Sequence, residues 1–496
     1  MSTTISISDN PDSDQFPLPE GWALARIDDV CIPPQYGWTT SATKMRSGLK
    51  LLRTTDISSG ALDWSTVPVC EKEPDDPEKY LLRAGDIVVS RAGSVGLSHL
   101  IREAPPAVFA SYLIRFRPSP PIKSEFIATF LQSPQYWSAI AEESAGIAIP
   151  NVNASKLREI KLPIPPLAEE SRIVAKTKEL STRVNASRER LSKVPKLLKR
   201  LRQSILAAAC SGRLTEDWRE QHPNIVPAID LIGEERFTLA EETHDLSDLP
   251  QGWIWVALGN YGRCSRGRFS VRPRNDARYF EGEHPFIQIG NLPPDGGWVK
   301  SHSQTLNDKG LAVSKKFPKG TVVIAIVGAT IGNTGLLAYD MCFPDSIVGI
   351  DTGTEEGNRY VEFFLRQQKY AMRETSYASG GQPNIKLELL NPYPLALPPF
   401  EEQREIVRRV EALFKLADMI EMKVITATRR ADKLMQAILG KAFRGELVPT
   451  EAELAHREGR DYEPASVLLA RIKAAREGFP NNSEGGSHKR VTKKNL

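Results

Sequence analysis

The sequence contains no run of 18 apolar residues, so it offers no candidate for a transmembrane helix. Its most apolar stretch, Val322–Ala329, is short and rich in β-branched residues, which predicts a buried strand. Residues 1–14 are polar and mildly acidic, with neither a basic start nor an apolar core. We therefore expect no signal peptide and no membrane association.

Cysteine is scarce and scattered, and no two cysteines form a C-x-x-C pair. An odd, dispersed set argues against a disulfide framework and against a structural zinc site. A reducing compartment fits this usage, so we expect a cytoplasmic protein without a bound metal. The five cysteines are Cys31, Cys70, Cys210, Cys264 and Cys342.

Catalytic motifs are missing as well. The sequence has no G-x-x-x-x-G-K-[ST] phosphate loop and no H-E-x-x-H zinc helix, and its seven histidines are dispersed. The run Asn391–Pro394 has some similarity to the N-P-P-Y motif of adenine methyltransferases, but it lacks the second proline. We therefore expect a chain that has no catalytic residues and binds no cofactor itself.

The composition is that of a globular protein. Of the 496 residues, 41% are hydrophobic and 25% are charged, a balance that allows sizeable cores. At roughly 100–200 residues per domain, this length predicts about three structural units. The net charge of +4 is too small to indicate nucleic-acid binding, so the local distribution of charge matters more.

The chain contains one sequence unit twice. The motif L-P-x-G-W occurs at Leu18–Trp22 and again at Leu249–Trp253, and P-P-x-x-E occurs at Pro165–Glu169 and again at Pro398–Glu402. The offset between the copies stays nearly constant, which makes chance matching of common residues a poor explanation. The repeat is far longer than the 20–50 residues of a solenoid, so it indicates a duplicated domain with its connector.

Each copy changes character at its Pro-Pro pair. The part before the pair is rich in Gly, Pro and short apolar runs, with one amphipathic helix expected near 125–140 and another near 359–374. The part after the pair is helical, with acids in its first turn, and ends near Gly212 or Gly445. The predicted fold class is α/β (α+β), with two similar domains joined by two long helices.

Both long helices carry a heptad pattern, which predicts a coiled coil. Two matching helices in one chain favour an intramolecular antiparallel pair, with pseudo-twofold symmetry, over a zipper between two chains. Pro195 lacks an amide donor and predicts a kink in the first helix. The expected seam residues are Leu180, Val184, Leu191, Leu198, Leu201, Ile205, Leu413, Ile420, Val424, Leu434 and Ile438.

These patterns predict the organisation of the whole chain. A disordered tail at 1–17 precedes the first domain at 18–165, the first long helix at 166–212 and a linker at 213–248. The second domain occupies 249–398 and the second long helix 399–445. A partly helical segment at 446–479 and a disordered tail at 480–496 complete the expected order.

Arginines are concentrated in one loop of the second domain, where clustered guanidinium groups suit phosphate and guanine contacts. The alternative is an ordinary solvated loop. The candidates there are Arg263, Arg266, Arg268, Arg272 and Arg274. The more aromatic counterpart in the first domain provides the candidates Tyr36, Trp38, Lys44 and Arg46, to which we add Arg91. Copies that differ most in such a loop are typical of a protein that reads two different targets.

Polar side chains precede each Pro-Pro pair, and the Asn and Gln amides among them could read adenine edges, although Asn after Pro is equally typical of a turn. These candidates are Asn151, Asn153, Gln382, Asn384 and Lys386. The first long helix is also basic between Arg183 and Arg202. That face could be solvated, could follow a DNA duplex or could dock an acidic partner.

The doubled L-P-x-G-W opening, the P-P-L/F-x-E-[E/Q] start of each long helix and its L-x-Q-x-I-L…G-x-L end resemble the specificity subunits of type I restriction–modification systems. The resemblance extends from about residue 18 to 470. It implies two target-recognition domains, each reading half of a split double-stranded DNA sequence, and two conserved helices that form an antiparallel coiled coil.

The resemblance also implies the partners. Such a subunit is not catalytic. It recruits two methyltransferase subunits, which bind S-adenosylmethionine and methylate adenine at N6, and restriction–translocase subunits, which use ATP and Mg²⁺. Two other functions remain open at this point: a DNA-associated scaffold that reads no sequence, and an enzyme with an unrecognised site.

Overall fold

The computed structural model describes residues 17–43, 47–58, 60, 62–144, 152–232, 246–378 and 384–477. The predicted tails at 1–17 and 480–496 lie outside these residues, except for Pro17. The chain forms two compact units. The first contains the chain up to Leu191 together with the part from Thr426 onward, and the second contains Ser192–Ile425. Each unit therefore holds one domain and a part of both long helices.

The first domain is mixed. Its strands form sheets of order β2-β9-β6-β7 and β3-β5-β4-β8, and β1 pairs with β10. The strands are β1 (Ala23–Arg26), β2 (Cys31–Tyr36), β3 (Ala42–Thr43), β4 (Lys50–Leu52), β5 (Val69–Cys70), β6 (Ile87–Ser90), β7 (Ser98–Leu100), β8 (Ala107–Phe109), β9 (Leu113–Pro118) and β10 (Lys161–Ile164). The helices are α1 (Ile27–Val30), α2 (Thr54–Ile57), α3 (Pro77–Tyr80), α4 (Ser124–Phe130), α5 (Pro134–Ser144) and α6 (Ala154–Glu159).

The sheet that contains β6 separates two apolar cores. Ile87 and Val89 face the core that also holds α4 and α5, whereas Val88 faces the core beside β8. Side chains of a strand alternate between the two faces of its sheet, so the three apolar residues of β6 are buried on both of its sides. The single helix expected near 125–140 is wrong: it is divided into α4 and α5, and the second of these begins at Pro134 because proline suits a helix start.

The first long helix, α7 (Leu167–Cys210), is continuous and contains Pro195 in its interior. The kink expected at this proline stays a prediction. Gly212 follows the helix with φ 73°, a left-handed conformation that glycine adopts without strain. The chain then forms a 3₁₀ turn at Arg213–Thr215, α8 (Glu216–Gln221) and a second 3₁₀ turn at Ala228–Leu231.

The second domain has sheets of order β12-β20-β17-β18-β14 and β15-β13-β19-β16, and β11 pairs with β21. Its strands are β11 (Ile254–Ala257), β12 (Arg263–Arg266), β13 (Phe280–Phe286), β14 (Trp298–Val299), β15 (Gln304–Leu306), β16 (Lys316–Phe317), β17 (Val322–Ala325), β18 (Thr334–Leu337), β19 (Met341–Cys342), β20 (Ile347–Asp351) and β21 (Pro394–Leu397). Its helices are α9 (Leu258–Tyr261), α10 (Asp308–Ala312), α11 (Glu355–Ala378) and α12 (Leu387–Leu390), with 3₁₀ turns at Ala277–Tyr279, Ile289–Asn291 and Gly328–Thr330.

The second long helix, α13 (Phe400–Ala442), is followed by α14 (Glu451–Glu458) and α15 (Ala465–Glu477). Thr450 caps α14: its hydroxyl accepts from the amide of Glu453, whose carboxylate accepts from the amide of Thr450. This reciprocal pair satisfies two amides that a helix start otherwise leaves unpaired.

The two domains repeat one topology. In the first domain β2 pairs with β9, and β9 pairs with β6. In the second domain β12 pairs with β20, and β20 pairs with β17, so the equivalent strands are paired in the same order. The buried strand predicted at 322–329 is confirmed for β17. The mixed sheets, the two similar domains and the long helices confirm the predicted fold class.

Within each unit the two long helices run antiparallel. In the second unit, Arg202 pairs with Asp418 and Glu421, and further along α7 Ile205 shares a core with Ile406. Residues nearer the C-terminus of α7 therefore contact residues nearer the N-terminus of α13. The first unit shows the same order. Ile173 packs with Ala442, and Arg188 pairs with Asp432.

The seam predicted from the heptads is wrong at Leu201 and Leu434, which are 44% and 52% exposed. The next residue of each helix, Arg202 or Met435, is half-buried instead. Near its C-terminal end each helix packs against a domain core as well as against the other helix, so the buried positions follow the α-helical period instead of a 3.5-residue period. The other seam residues are buried (Val184, Leu198, Ile205, Ile438) or half-buried (Leu180, Leu191, Leu413, Ile420, Val424).

The two recurring motifs meet where a domain joins its helices. The Trp22 indole donates to the buried carboxylate of Glu169 at 3.0 Å, and the Trp253 indole donates to that of Glu402 at 2.8 Å. Glu169 also accepts from the amide of Glu451 at 2.8 Å, so it holds the start of α14. The repeated tryptophans and acids are therefore structural.

Glu169 and Glu170 give the first unit a predicted pH dependence. Burial raises the pKa of each carboxyl to about 7, above its ordinary value of 4.5. In the interval between those values the folded state binds more protons than the unfolded state, so this contribution to stability is full below about pH 4.5 and is lost as the pH rises to about 7. We expect each group to lower the free energy of unfolding by roughly 2–3 kcal/mol between pH 4.5 and 8.

Glu170→Gln tests this expectation, because the second unit already has Gln403 at the equivalent position. Denaturant unfolding at pH 5 and pH 8 should show a smaller pH dependence in this variant than in the wild type. Glu401→Gln, at an exposed position in the first turn of α13, is the control. An unchanged pH dependence in Glu170→Gln would contradict the role of this carboxyl.

Candidate nucleic-acid interface

The predicted binding residues of the first domain lie at one edge of a sheet. The end of β2, the end of β6 and the start of β9 meet there, because Tyr36 pairs with Ile114 and Ser90 pairs with Leu113. Arg91 follows β6 directly, and Tyr112 precedes β9. We call this group of strand ends the first edge.

Aromatic and cationic side chains are combined at the first edge. The Arg91 guanidinium lies 4.9 Å from the centre of the Tyr36 ring, whose hydroxyl accepts from the amide of Ala154 at 3.0 Å. Tyr112 is 62% exposed and was not predicted from the sequence, since a lone tyrosine after a serine carries no pattern. The Trp38 indole donates to the carbonyl of Lys72 at 2.9 Å, so Trp38 is fastened to its own domain.

The second domain has the equivalent second edge, where β12 ends at Arg266. The amide of Gly37 donates to Leu113 in the first domain, and the amide of Gly267 donates to Ile347 in the second. The next amide, that of Trp38 or Arg268, donates to the carbonyl of Phe109 or Phe343, respectively. Tyr36 therefore corresponds to Arg266, and Trp38 corresponds to Arg268.

The glycine between these positions cannot change. A Cβ at Gly37 would lie 2.2 Å from the carbonyl oxygen of Phe109, and a Cβ at Gly267 would lie 2.3 Å from that of Pro344. The backbone therefore crosses a neighbouring segment in the same way in both domains. The residues that flank the glycine are aromatic in the first domain and basic in the second. The two domains therefore present different side chains on the same backbone conformation.

The arginine-rich loop is anchored by part of each guanidinium. Arg266 donates to the carbonyl of Asp345 at 2.7 Å, and Arg274 pairs with the carboxylate of the same residue at 2.9 Å. Arg268 donates twice to the carbonyl of Ser314, at 3.1 and 2.7 Å. Since a guanidinium has five N–H donors, each of these exposed side chains keeps donors for another molecule.

Two further arginines belong to this region. Arg272 donates to the carbonyl of Val271 at 2.8 Å. Arg263 pairs with Asp351 through the backbone of β12, and its exposed side chain has no hydrogen-bond partner within the described ranges.

The polar candidates before each Pro-Pro pair differ in their structural positions and contacts. Asn153 caps α6 by accepting from the amide of Lys156 at 2.9 Å, which is the turn-forming role. Asn384 is exposed and bridges to Val327, beside the second edge, and the exposed Lys386 directly precedes α12. Four predicted candidates lie outside the described residues: Lys44, Arg46, Asn151 and Gln382.

Among the residues that the structure describes, no group of three His, Cys, Asp or Glu side chains is placed to hold a metal ion, and no helix is long and apolar enough to cross a membrane. The five cysteines are free thiols. Burial raises the pKa of Cys31, Cys210 and Cys264 to about 12, which keeps each protonated at neutral pH.

Known proteins are similar to this chain in sequence and in fold. The family described as "Type I restriction modification DNA specificity domain" matches residues 19–195 and 266–427. The specificity subunit of the type I restriction enzyme EcoKI from Escherichia coli K12 is 30% identical over 479 residues, which cover 92% of this chain and 96% of that subunit.

Two solved structures share the fold. The HsdS subunit from Thermoanaerobacter tengcongensis is 20% identical with a TM-score of 0.51, covering 88% of this chain and 99% of that one. A chain solved in work on the assembly and conformational transition of the type I R-M system is 21% identical with a TM-score of 0.64, covering 87% of this chain and 100% of that one.

Proposed function

Since the chain belongs to the family of type I restriction–modification DNA specificity subunits, we propose that each of its two domains reads one half of a split DNA target. The observation that carries this proposal is the pair of equivalent edges. Gly37 and Gly267 fix the same backbone crossing, while the residues on either side of them change from aromatic to basic. One docking geometry with two chemistries is what two different half-sites require.

Recognition combines two kinds of contact. Arg266 and Arg268 keep free N–H donors for phosphate or for guanine O6 and N7 in the major groove. Tyr36, Arg91 and Tyr112 offer aromatic surface and one cation to a different sequence. The domains diverge at these positions because the half-sites differ, and keep the frame because both face the same duplex geometry.

The paired long helices fix the spacing between the half-sites. Because α7 and α13 run antiparallel in each unit, a change in their length would change the spacing and leave both half-site sequences unaltered.

Methyltransferase and restriction subunits are the partners of such a chain, and we propose two methyltransferase subunits per chain. Leu201 and Leu434 occupy equivalent positions in the two L-x-Q-x-I-L motifs, and each is about half exposed. A leucine kept exposed in both copies favours two equivalent apolar docking patches. The mass of the assembled complex measures this stoichiometry.

The chemistry belongs to the assembled complex. We propose that it is an adenine-N6 DNA methyltransferase and an ATP-dependent endonuclease. S-adenosylmethionine, ATP and Mg²⁺ are bound by the partner subunits, and this chain supplies sequence recognition.

Methylation-sensitive sequencing of the host genome, with and without this gene, tests the proposal. We expect deletion to abolish adenine methylation at one split, non-palindromic motif, whose two parts are the two half-sites. Unchanged methylation with the partner methyltransferase expressed would contradict the proposal. A DNA footprint without sequence preference would favour a scaffold instead.

A further inference from the structure

Four cations from two helices are gathered in the second unit. Arg366, Lys369 and Arg373 lie on α11, and Lys199 lies on α7. The half-buried Lys369 ammonium donates to the carbonyl of Pro294 at 2.8 Å. Burial lowers the pKa of Lys369 most, and the charges of Arg373, Lys199 and Arg366 lower it further, against an opposing effect of Asp295. We call these four residues the basic cluster.

The basic cluster flanks the second edge. A Cβ at Gly332 would lie 3.1 Å from the carbonyl oxygen of Lys369, and Gly332 belongs to the turn that joins β17 to β18. The amide of Gly332 donates to Ala325, the last residue of β17, and Ala325 pairs with the first residue of β20. The cluster therefore lies beside the strand ends that carry Arg266.

The fold does not require these charges. Aligning Phe364 with Phe130 places Gln132, Gln135 and Ala139 of the first domain at the positions of the three α11 cations. At the position of Lys199 the second long helix has Asp432, which pairs with Arg188. One copy thus has four positive charges where the other has none.

Gathering like charges is costly unless a partner offsets their repulsion. The neighbouring surface of α7 adds to the charge, since Lys196 and Arg200 are exposed. Asp295 and Glu362 line the same pocket as Arg366, so the positive charge is a concentration of cations with acids beside it. Cations concentrated next to a proposed base-reading edge suit a polyanion that runs past that edge, and the phosphate backbone of DNA is such a polyanion.

We propose that the basic cluster binds the phosphate backbone next to the half-site that the second domain reads. Through Lys199, the first long helix contacts DNA directly in addition to holding the domains. This inference rests on the proposed function, because it places the cluster next to a recognised half-site. The contact is independent of sequence, so it adds affinity without changing the base preference.

The test is a triple variant, Lys199→Gln/Lys369→Gln/Arg373→Gln, in the full chain assembled with its methyltransferase subunits. Binding to a duplex with the methylated motif, and to one with the second half-site scrambled, is measured from about 50 to 300 mM KCl. A matched triple variant, Lys178→Gln/Lys433→Gln/Lys473→Gln, removes three exposed cations elsewhere and serves as the control.

We expect the slope of log affinity against log salt to fall by about 2–3, and the affinity near 0.1 M salt to fall roughly ten- to hundredfold. The ratio of affinities for the two duplexes should stay unchanged. Lys199→Gln alone, at an exposed helix position, should lower the slope by about 1, which separates lost contacts from lost folding.

A slope equal to that of the control variant would overturn the proposal. So would an unchanged slope together with lost methyltransferase binding, which would assign the cluster to an acidic protein surface. Failure of the proposed function gives a different result: the wild-type complex itself would not distinguish the two duplexes.

Discussion

Replacing Asp86 with alanine is expected to lower the free energy of unfolding of the first domain by about 3–5 kcal/mol. Asp86 is 1% exposed and accepts from Arg117 at 2.6 and 2.9 Å and from the amide of Arg83 at 2.9 Å. Arg115, only 7% exposed, lies 3.9 Å from the same carboxylate. Without Asp86 two guanidinium groups lose their counter-charge, and one of them is buried.

Urea unfolding monitored by circular dichroism measures this effect. Glu78→Ala is the control, because Glu78 is 73% exposed and its pair with Arg83 contributes little. Asp86→Asn should be intermediate, since it keeps an acceptor for the Arg83 amide and loses the charge. A loss below about 1 kcal/mol in Asp86→Ala would show that Arg115 and Arg117 find other acceptors.

Exchanging residues 249–398 for the same segment of another family member is expected to change one half of the methylated motif and to leave the other half intact. Each domain has its own apolar core, so a foreign second domain does not disturb the packing of the first. The exchange must keep Trp253, whose indole donates to Glu402 of α13. With that hydrogen bond retained, the long helices and the spacing should be unchanged.

Sequencing of methylated adenines in cells that carry the chimaera reads both halves at once. The reciprocal exchange of residues 18–165 is the matched control and should alter only the opposite half. A chimaera in which both halves changed would contradict independent reading by the two domains.

Much of the architecture could be predicted because it is repeated. The duplication, the mixed domains and the antiparallel long helices all follow from motifs that occur twice. The predicted seam is wrong at Leu201 and Leu434 because a heptad pattern indicates one contact surface, whereas these helix ends contact a domain core as well. A one-dimensional pattern does not show that second neighbour.

The site was harder to predict because its contacts join distant segments. The sequence identifies the arginine cluster, but not that Arg268 is anchored to the carbonyl of Ser314. Tyr112 becomes a candidate only when β9 and β2 are placed side by side. The buried pair of Asp86 and Arg117 has no counterpart in the second domain, so comparison of the copies gives no signal for it.

The strand pairs at the base of the domains have a consequence for inheritance. Ala23 pairs with Ile164, and Ile254 pairs with Leu397, so the chain enters and leaves each domain at neighbouring points. A gene segment bounded by these strands therefore encodes one whole recognition domain. One recombination event at such boundaries would rewrite half of the methylation pattern of a genome, while the rest of the protein stays as it was.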